Sequence, residues 1–187
     1  MKRISFLALV LLAAVLAGCQ KNEAVPGDAS TNSAAATNTN TADAGGYMLP
    51  TGPQAKLPTI KLYLGPETLD AEMALSPMQE ATGLMYRTNI TDETAMIFAL
   101  GEPLRAPNGF WMTNCPMSLS AAYISPDGII KEIHHLEKND NTPVVATNDD
   151  IIYVLEVNDG WFARHNINTG MVIRTERGSL GDTFTRR

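Results

Sequence analysis

The chain reads as a mainly β (α+β) domain, a compact, partly closed β-barrel or β-sandwich of about six to eight short strands with two short helices. Three observations point there. Apolar and β-branched runs of roughly four to eight residues recur between Gly, Pro and Asp-rich turn signals. One stretch carries a full helix-start signature, and a long low-complexity segment sets the foldable part apart from the N-terminus.

The elements follow in order. Leu57 to Leu64 is apolar and β-branched and stops at Gly65-Pro66. Leu69, Ala71, Met73 and Leu75 then alternate with Thr68, Asp70, Glu72 and Ala74, the period of a strand, so the two runs predict a hairpin. Ser76-Pro77-Met78-Gln79 places a capping Ser, a Pro at the first helical position and a Gln three residues after the cap. Those side chains satisfy backbone donors that a helix start leaves orphaned, and a helix is expected up to about Tyr86. Ala95 to Leu100 and Phe110 to Thr113 read as strands. Ala121 to Ile124 and Ile129 to Leu136 flank the turn Ser125-Pro126-Asp127-Gly128. Glu137 to Asp150 is polar and reads as a loop, and Ile151 to Val157 is the most apolar strand. Asn158 or Asp159 is expected to cap a short helix over Trp161 and Phe162. Met171 to Thr175 is the last strand expected, with residues 178–187 a polar tail.

The N-terminus carries an address. Met1-Lys2-Arg3 is basic, Ile4 to Val15 is almost wholly apolar, and Leu16-Ala17-Gly18-Cys19 resembles the bacterial lipobox. The expectation is a signal peptide over residues 1–18, lipid on Cys19, and attachment to the bacterial cell envelope, with Gln20 favouring the outer membrane facing the periplasm. Acyl chains contribute about 0.8 kcal/mol per buried methylene, enough for two or three chains to hold a protein on a membrane. Residues 19–55 are rich in Ala, Thr, Asn and Ser with little to bury, so they read as a tether of about 30 Å r.m.s. span. The domain is expected over residues 56–177.

Charge and cysteine count narrow the partners. The formal charge is −6, and losing Lys2 and Arg3 makes it more acidic, a poor match for phosphate backbones, so nucleic acid is excluded as a partner. With Cys19 lipidated, Cys115 has no second cysteine to pair with. It is then a small buried hydrophobe, the favoured reading, or a thiol with a chemical role.

Four segments resemble a known family: Gln79 to Arg87, Met96-Ile97-Phe98, Phe110-Trp111-Met112-Thr113-Asn114, and Val154-Leu155-Glu156-Val157-Asn158-Asp159-Gly160. In order and spacing they look like the DUF192 (UPF0127) family over roughly residues 58–175. The resemblance implies the fold and implies no settled activity. The chain departs from the family pattern at several places. Ser118-Leu119-Ser120 stands for Pro-Leu-Asp, Thr113 for Lys, Cys115 for Thr, Glu80 for Arg, and Gly170-Met171 for Gly-Asp.

The candidate binding residues are Arg87, Trp111, Asn114 and Glu156. Glu156 lies in a strand with both faces apolar, so its charge needs a partner, and Arg87 is the expected one in a structural ion pair. Trp111 beside Asn114 suits a flat ligand such as a sugar. The expected role is a binding module for a small molecule, a glycan or an envelope protein, with no cofactor and no catalytic residue assigned. Two alternatives stand beside it. Met112, Cys115, Met117 and His134 are the soft ligands Cu(I) prefers, although neighbouring His134 and His135 must point to opposite faces of a strand. Cys115 with a histidine would be the nucleophile and base of a hydrolase.

Overall fold

The structure is a computed structural model, and it describes residues 49–184. The expected signal peptide, Cys19 and most of the expected tether lie outside the described residues. Among those described, no helix is long and apolar enough to cross a membrane.

The chain runs β1 (Thr59–Leu64), β2 (Glu67–Ala74), α1 (Pro77–Thr82), β3 (Thr94–Leu104), β4 (Gly109–Phe110), β5 (Leu119–Ile124) and β6 (Ile130–Leu136). It continues through β7 (Val144–Val145), β8 (Ile151–Asn158), α2 (Trp161–Arg164), β9 (Ile173–Thr175), β10 (Gly178–Ser179) and α3 (Leu180–Phe184). Eight strands form one sheet in the order β10-β9-β1-β2-β3-β8-β5-β6, and β4 pairs with β7 apart from it. The expected hairpin is β1–β2, whose register pairs Leu62 with Leu69. The crossover through α1 makes β2 and β3 parallel, whereas β3–β8, β8–β5 and β5–β6 are antiparallel. The sheet curls until Ile129 bridges Val172 and Ile130 N–H donates to Met171 O at 2.9 Å, so its two edges approach each other. The architecture is the mainly β, partly closed form expected.

A curled sheet has two faces, and period-two alternation sorts side chains between them. One face carries Leu62, Ala71, Ile97, Leu155 and Ala122, sealed by Trp161 and Phe162 of α2 and by Leu180 and Phe184 of α3. The other carries Met96, Phe98, Val154, Ala121 and Tyr123, packed under Leu84, Met112 and Cys115 from the connecting segments. Strand β8 is buried on both sides, which explains its near-continuous apolar run.

Local chemistry fixes the crossover. Ser76 Oγ accepts from Gln79 N–H at 3.3 Å, and Gln79 Oε1 accepts from Ser76 N–H at 3.1 Å, completing the capping box with Pro77 in the first turn. The helix ends at Thr82, not Tyr86. Gly83 takes φ 47° with ψ −128°, a conformation closed to residues with a Cβ, and Tyr86 follows at φ 62°.

Other expectations change with packing. There are three short helices among the described residues, because residues 178–184, read as tail, form β10 and α3. Leu180 and Phe184 sit one helical turn apart and both point into the core, while Ser179 Oγ accepts from Asp182 N–H at 3.0 Å to start the turn. Phe110 to Thr113 shrinks to the two-residue β4, and Val144–Val145 inside the expected loop pairs with it. Helix α2 starts at Gly160 without a side-chain cap. Asp159 instead takes Ser120 Oγ–H at 3.2 Å and His135 Nδ1 at 2.9 Å. At the other end, residues 49–55 lie against the domain. Gln54 Nε2 donates to Gln79 O and Gly83 O at the end of α1, and Tyr86 OH donates to Pro50 O.

Candidate functional site

Strand register sets one row of side chains across the second face: Glu72 of β2, Met96 of β3, Glu156 of β8, Ala121 of β5 and His134 of β6. Three polar side chains thus enter a mostly apolar layer, separated by Met96 and Ala121. Their environments differ sharply.

Glu72 is paired. Arg87 grips both its oxygens, at 2.5 and 2.8 Å, and Leu57 N–H donates to it at 2.7 Å. Burial pushes the Glu72 pKa up, but the Arg87 guanidinium and the Leu57 N–H outweigh it and hold the carboxyl below its ordinary value. The expected Arg87–Glu156 pair does not form. Arg87 follows the turn after α1 back over β2, and the Met96 strand stands between it and Glu156.

At the far end of the row, His134 Nε2 lies 2.8 Å from Glu132 Oε2, and its ring packs on Tyr123 at 4.6 Å between centroids. Glu132 also accepts from the N–H groups of Thr147 and Asn148 and from the Asn148 amide, at 2.6–2.9 Å. Burial opposes ionisation, yet these donors bring the Glu132 pKa down to about 2. The carboxylate anchors the loop that leads into β8.

Glu156, between them, has no hydrogen-bond or ion-pair partner among the described residues, although it is only 4% exposed. Desolvation pushes its pKa up to about 8. Its side chain faces a cavity of about 590 Å³ under the turn that follows α1. Phe98 and Phe110, edge to face at 4.9 Å, form one wall with Leu84, and Trp111, 48% exposed, stands at the mouth. Glu80 and Ala81 of α1 line the opposite rim, and burial raises the Glu80 pKa as well. Gly83 belongs here because its positive φ turns the chain beside the cavity.

Of the four binding candidates, the cavity brings together Trp111 and Glu156. Arg87 lies in a separate, smaller cleft with Glu72. Asn114 acts through its backbone. It adopts φ 56°, which Asn tolerates better than most residues, and its carbonyl accepts from Tyr86 N–H at 2.7 Å, tying the α1 turn to the segment that carries Trp111.

The soft-ligand set is divided. Met112 and Cys115 are buried in the cavity wall, whereas Met117 packs against the same core, and His134 is turned to Glu132 and Tyr123. His135 points to the opposite face, between Asp159 and Glu137. Cys115 Sγ–H donates to Met117 O at 3.5 Å, and burial raises the thiol to about 11, so it is protonated at neutral pH. Among the described residues no cluster of three His, Cys, Asp or Glu side chains is placed to hold a metal.

Glu80 and Phe98 were not among the candidates. Phe98 shares a strand face with Met96, but which strand lay beside it depended on register. Glu80 drew notice only as a departure from the family pattern. It lines the cavity with Thr113 and Cys115, so three of those departures meet around the same cavity.

The chain is similar to a solved structure of a protein of unknown function from Novosphingobium aromaticivorans, with 27% identity and a TM-score of 0.55, covering 78% of this chain and 99% of that one. It is also similar to a proposed transcription regulator from Sinorhizobium meliloti, with 26% identity and a TM-score of 0.52 over 65% of this chain and 97% of that one. No protein of curated function matches it. Residues 60–175 match the profile of DUF192, described as an uncharacterized ACR family, and the chain belongs to that family.

Proposed function

We propose that the protein is a lipid-anchored envelope binding module whose ligand, a small molecule, occupies the cavity over Glu156. One observation carries the reading: a carboxyl on a residue only 4% exposed, with no partner among the described residues, faces a mostly apolar cavity of about 590 Å³. An unpaired buried carboxyl costs stability, so its natural use is to meet a group that a ligand brings. Cys19 carries the acyl chains. A Cys19→Ser chain is then expected to lose labelling by an alkyne fatty acid and to leave the membrane fraction. Retention of both in that variant contradicts the anchor.

The test of the binding reading is native mass spectrometry of the full-length protein released from envelopes in mild detergent. A small-molecule adduct is expected on the wild type and absent from Ala81→Trp, which fills the mouth from the exposed side of α1. An adduct that persists in Ala81→Trp places the ligand elsewhere. A copper adduct in its place overturns the reading in favour of Met112 and Cys115.

A further inference from the structure

We propose that the cavity takes an organic cation, a quaternary or protonated amine on an apolar body, with its charge seated on Glu156 and its body against Phe98, Phe110 and Trp111. This rests on the reading of the cavity as a ligand site and names the class of ligand.

Charge supplies the first reason. Among the described residues, the ionisable side chains lining the cavity are Glu80, Cys115 and Glu156, with no Lys, Arg or His in the wall. An anion entering there meets two carboxyls and no counter-charge, and at this depth the repulsion is poorly screened.

Hydrogen-bonding capacity supplies the second. A glycan buries many hydroxyls and needs a dense set of partners. The wall offers few. Thr82 Oγ1–H already donates to Met78 O at 2.7 Å, Thr113 Oγ1–H to Asn141 Oδ1 at 2.7 Å, and Cys115 Sγ–H to Met117 O. The carboxyls of Glu80 and Glu156 and the single indole N–H of Trp111 remain. Aromatic rings and carboxylates are what a weakly hydrated cation with an apolar body finds favourable, through ring quadrupoles and direct charge pairing.

Binding then carries a proton signature. Seating a cation requires the ionised form of Glu156, which burial disfavours in the empty cavity. The groups around it do not supply a competing cation. Cys115 and Tyr123 both titrate above their usual values and stay neutral, and Glu80 adds negative charge from α1. In the same row, Arg87 is held by Glu72 and His134 by Glu132, each beyond an intervening strand. A cation that itself never titrates should therefore bind about tenfold more weakly for each pH unit below the Glu156 midpoint.

The experiment titrates the full-length protein with benzyltrimethylammonium, its uncharged carbon isostere neopentylbenzene, and benzylsulfonate, following the Trp111 indole NMR signal between pH 6 and 9. The expected result is at least a tenfold preference for the ammonium at pH 8, fading toward pH 6. In Glu156→Gln the preference and its pH dependence should vanish while the neutral probe still binds. Equal binding of ammonium and isostere, or a preference for the sulfonate, overturns the cation assignment and leaves the cavity a ligand site. No binding by any of the three overturns both.

Discussion

Replacing Glu156 by leucine is expected to stabilise the protein at pH 8, by about 4 kcal/mol, although it deletes a buried polar side chain. The physical basis is linkage. In the unfolded chain Glu156 titrates near its ordinary 4.5, and in the fold desolvation lifts it to about 8. A group whose folded pKa is raised gives the fold its full relative stability below the unfolded value. That stability is lost as pH climbs from about 4.5 to about 8, at up to ~1.4 kcal/mol per unit, and is constant beyond. Leucine removes the titration, so the advantage of Glu156→Leu should be large at pH 8 and small at pH 5. Urea unfolding of the wild type and the variant at both pH values measures it. A variant less stable than wild type at pH 8 would mean that Glu156 is held by a favourable partner in the fold.

Glu132→Ala is expected to act in the opposite direction, destabilising by about 3 kcal/mol at neutral pH. The lost carboxylate leaves the buried end of its network without an acceptor: the N–H groups of Thr147 and Asn148 and the Asn148 amide. Each unsatisfied group costs about 1–3 kcal/mol, partly relieved by water at the loop. The sign with pH is also reversed. Glu132 has a lowered folded pKa, so its contribution is complete above about 4.5 and disappears as pH falls through about 2. Thermal unfolding of wild type and variant should differ most at pH 6–8 and converge near pH 2. A variant of unchanged stability would show that the 147–148 loop does not depend on Glu132.

These two carboxylates illustrate what the sequence made legible. Glu156 was marked as a buried charge in need of a partner because β8 is apolar at nearly every other position, and the burial is as expected. The choice of Arg87 failed because a partner's identity depends on strand order. The arginine follows α1 in sequence, but the crossover sets it over Glu72, one strand short of β3 and two short of β8. Glu132 was not singled out at all, since Lys131-Glu132-Ile133 alternates like any half-exposed strand and its loop partners lie fifteen residues on.

The same contrast runs through the fold. Local signals read well. The β1–β2 hairpin, the capping box at Ser76 and the turn before Ile130 each lie within a few residues of sequence. Elements fixed by distant contacts did not. The tail at residues 178–184 folds because Leu180 and Phe184 complete the core beneath Tyr153, and Phe184 packs 5.7 Å from that ring. Residues 49–55 are held by the carbonyls that end α1. The cavity itself is assembled from α1 and the turn after it, β3, β4 and the segment after it, β5 and β8, and no window of sequence displays their meeting.

The central claim is that Glu156 is an unpaired carboxyl awaiting a ligand, and its own titration tests that most directly. Selective ¹³C labelling of glutamate in the full-length, ligand-free protein allows the Glu156 side-chain carboxyl to be followed by NMR, assigned by its loss in Glu156→Gln. The predicted midpoint is near pH 8. A midpoint at or below the ordinary 4.5 would show a donor or cation already bound to Glu156, and would contradict the account of the cavity.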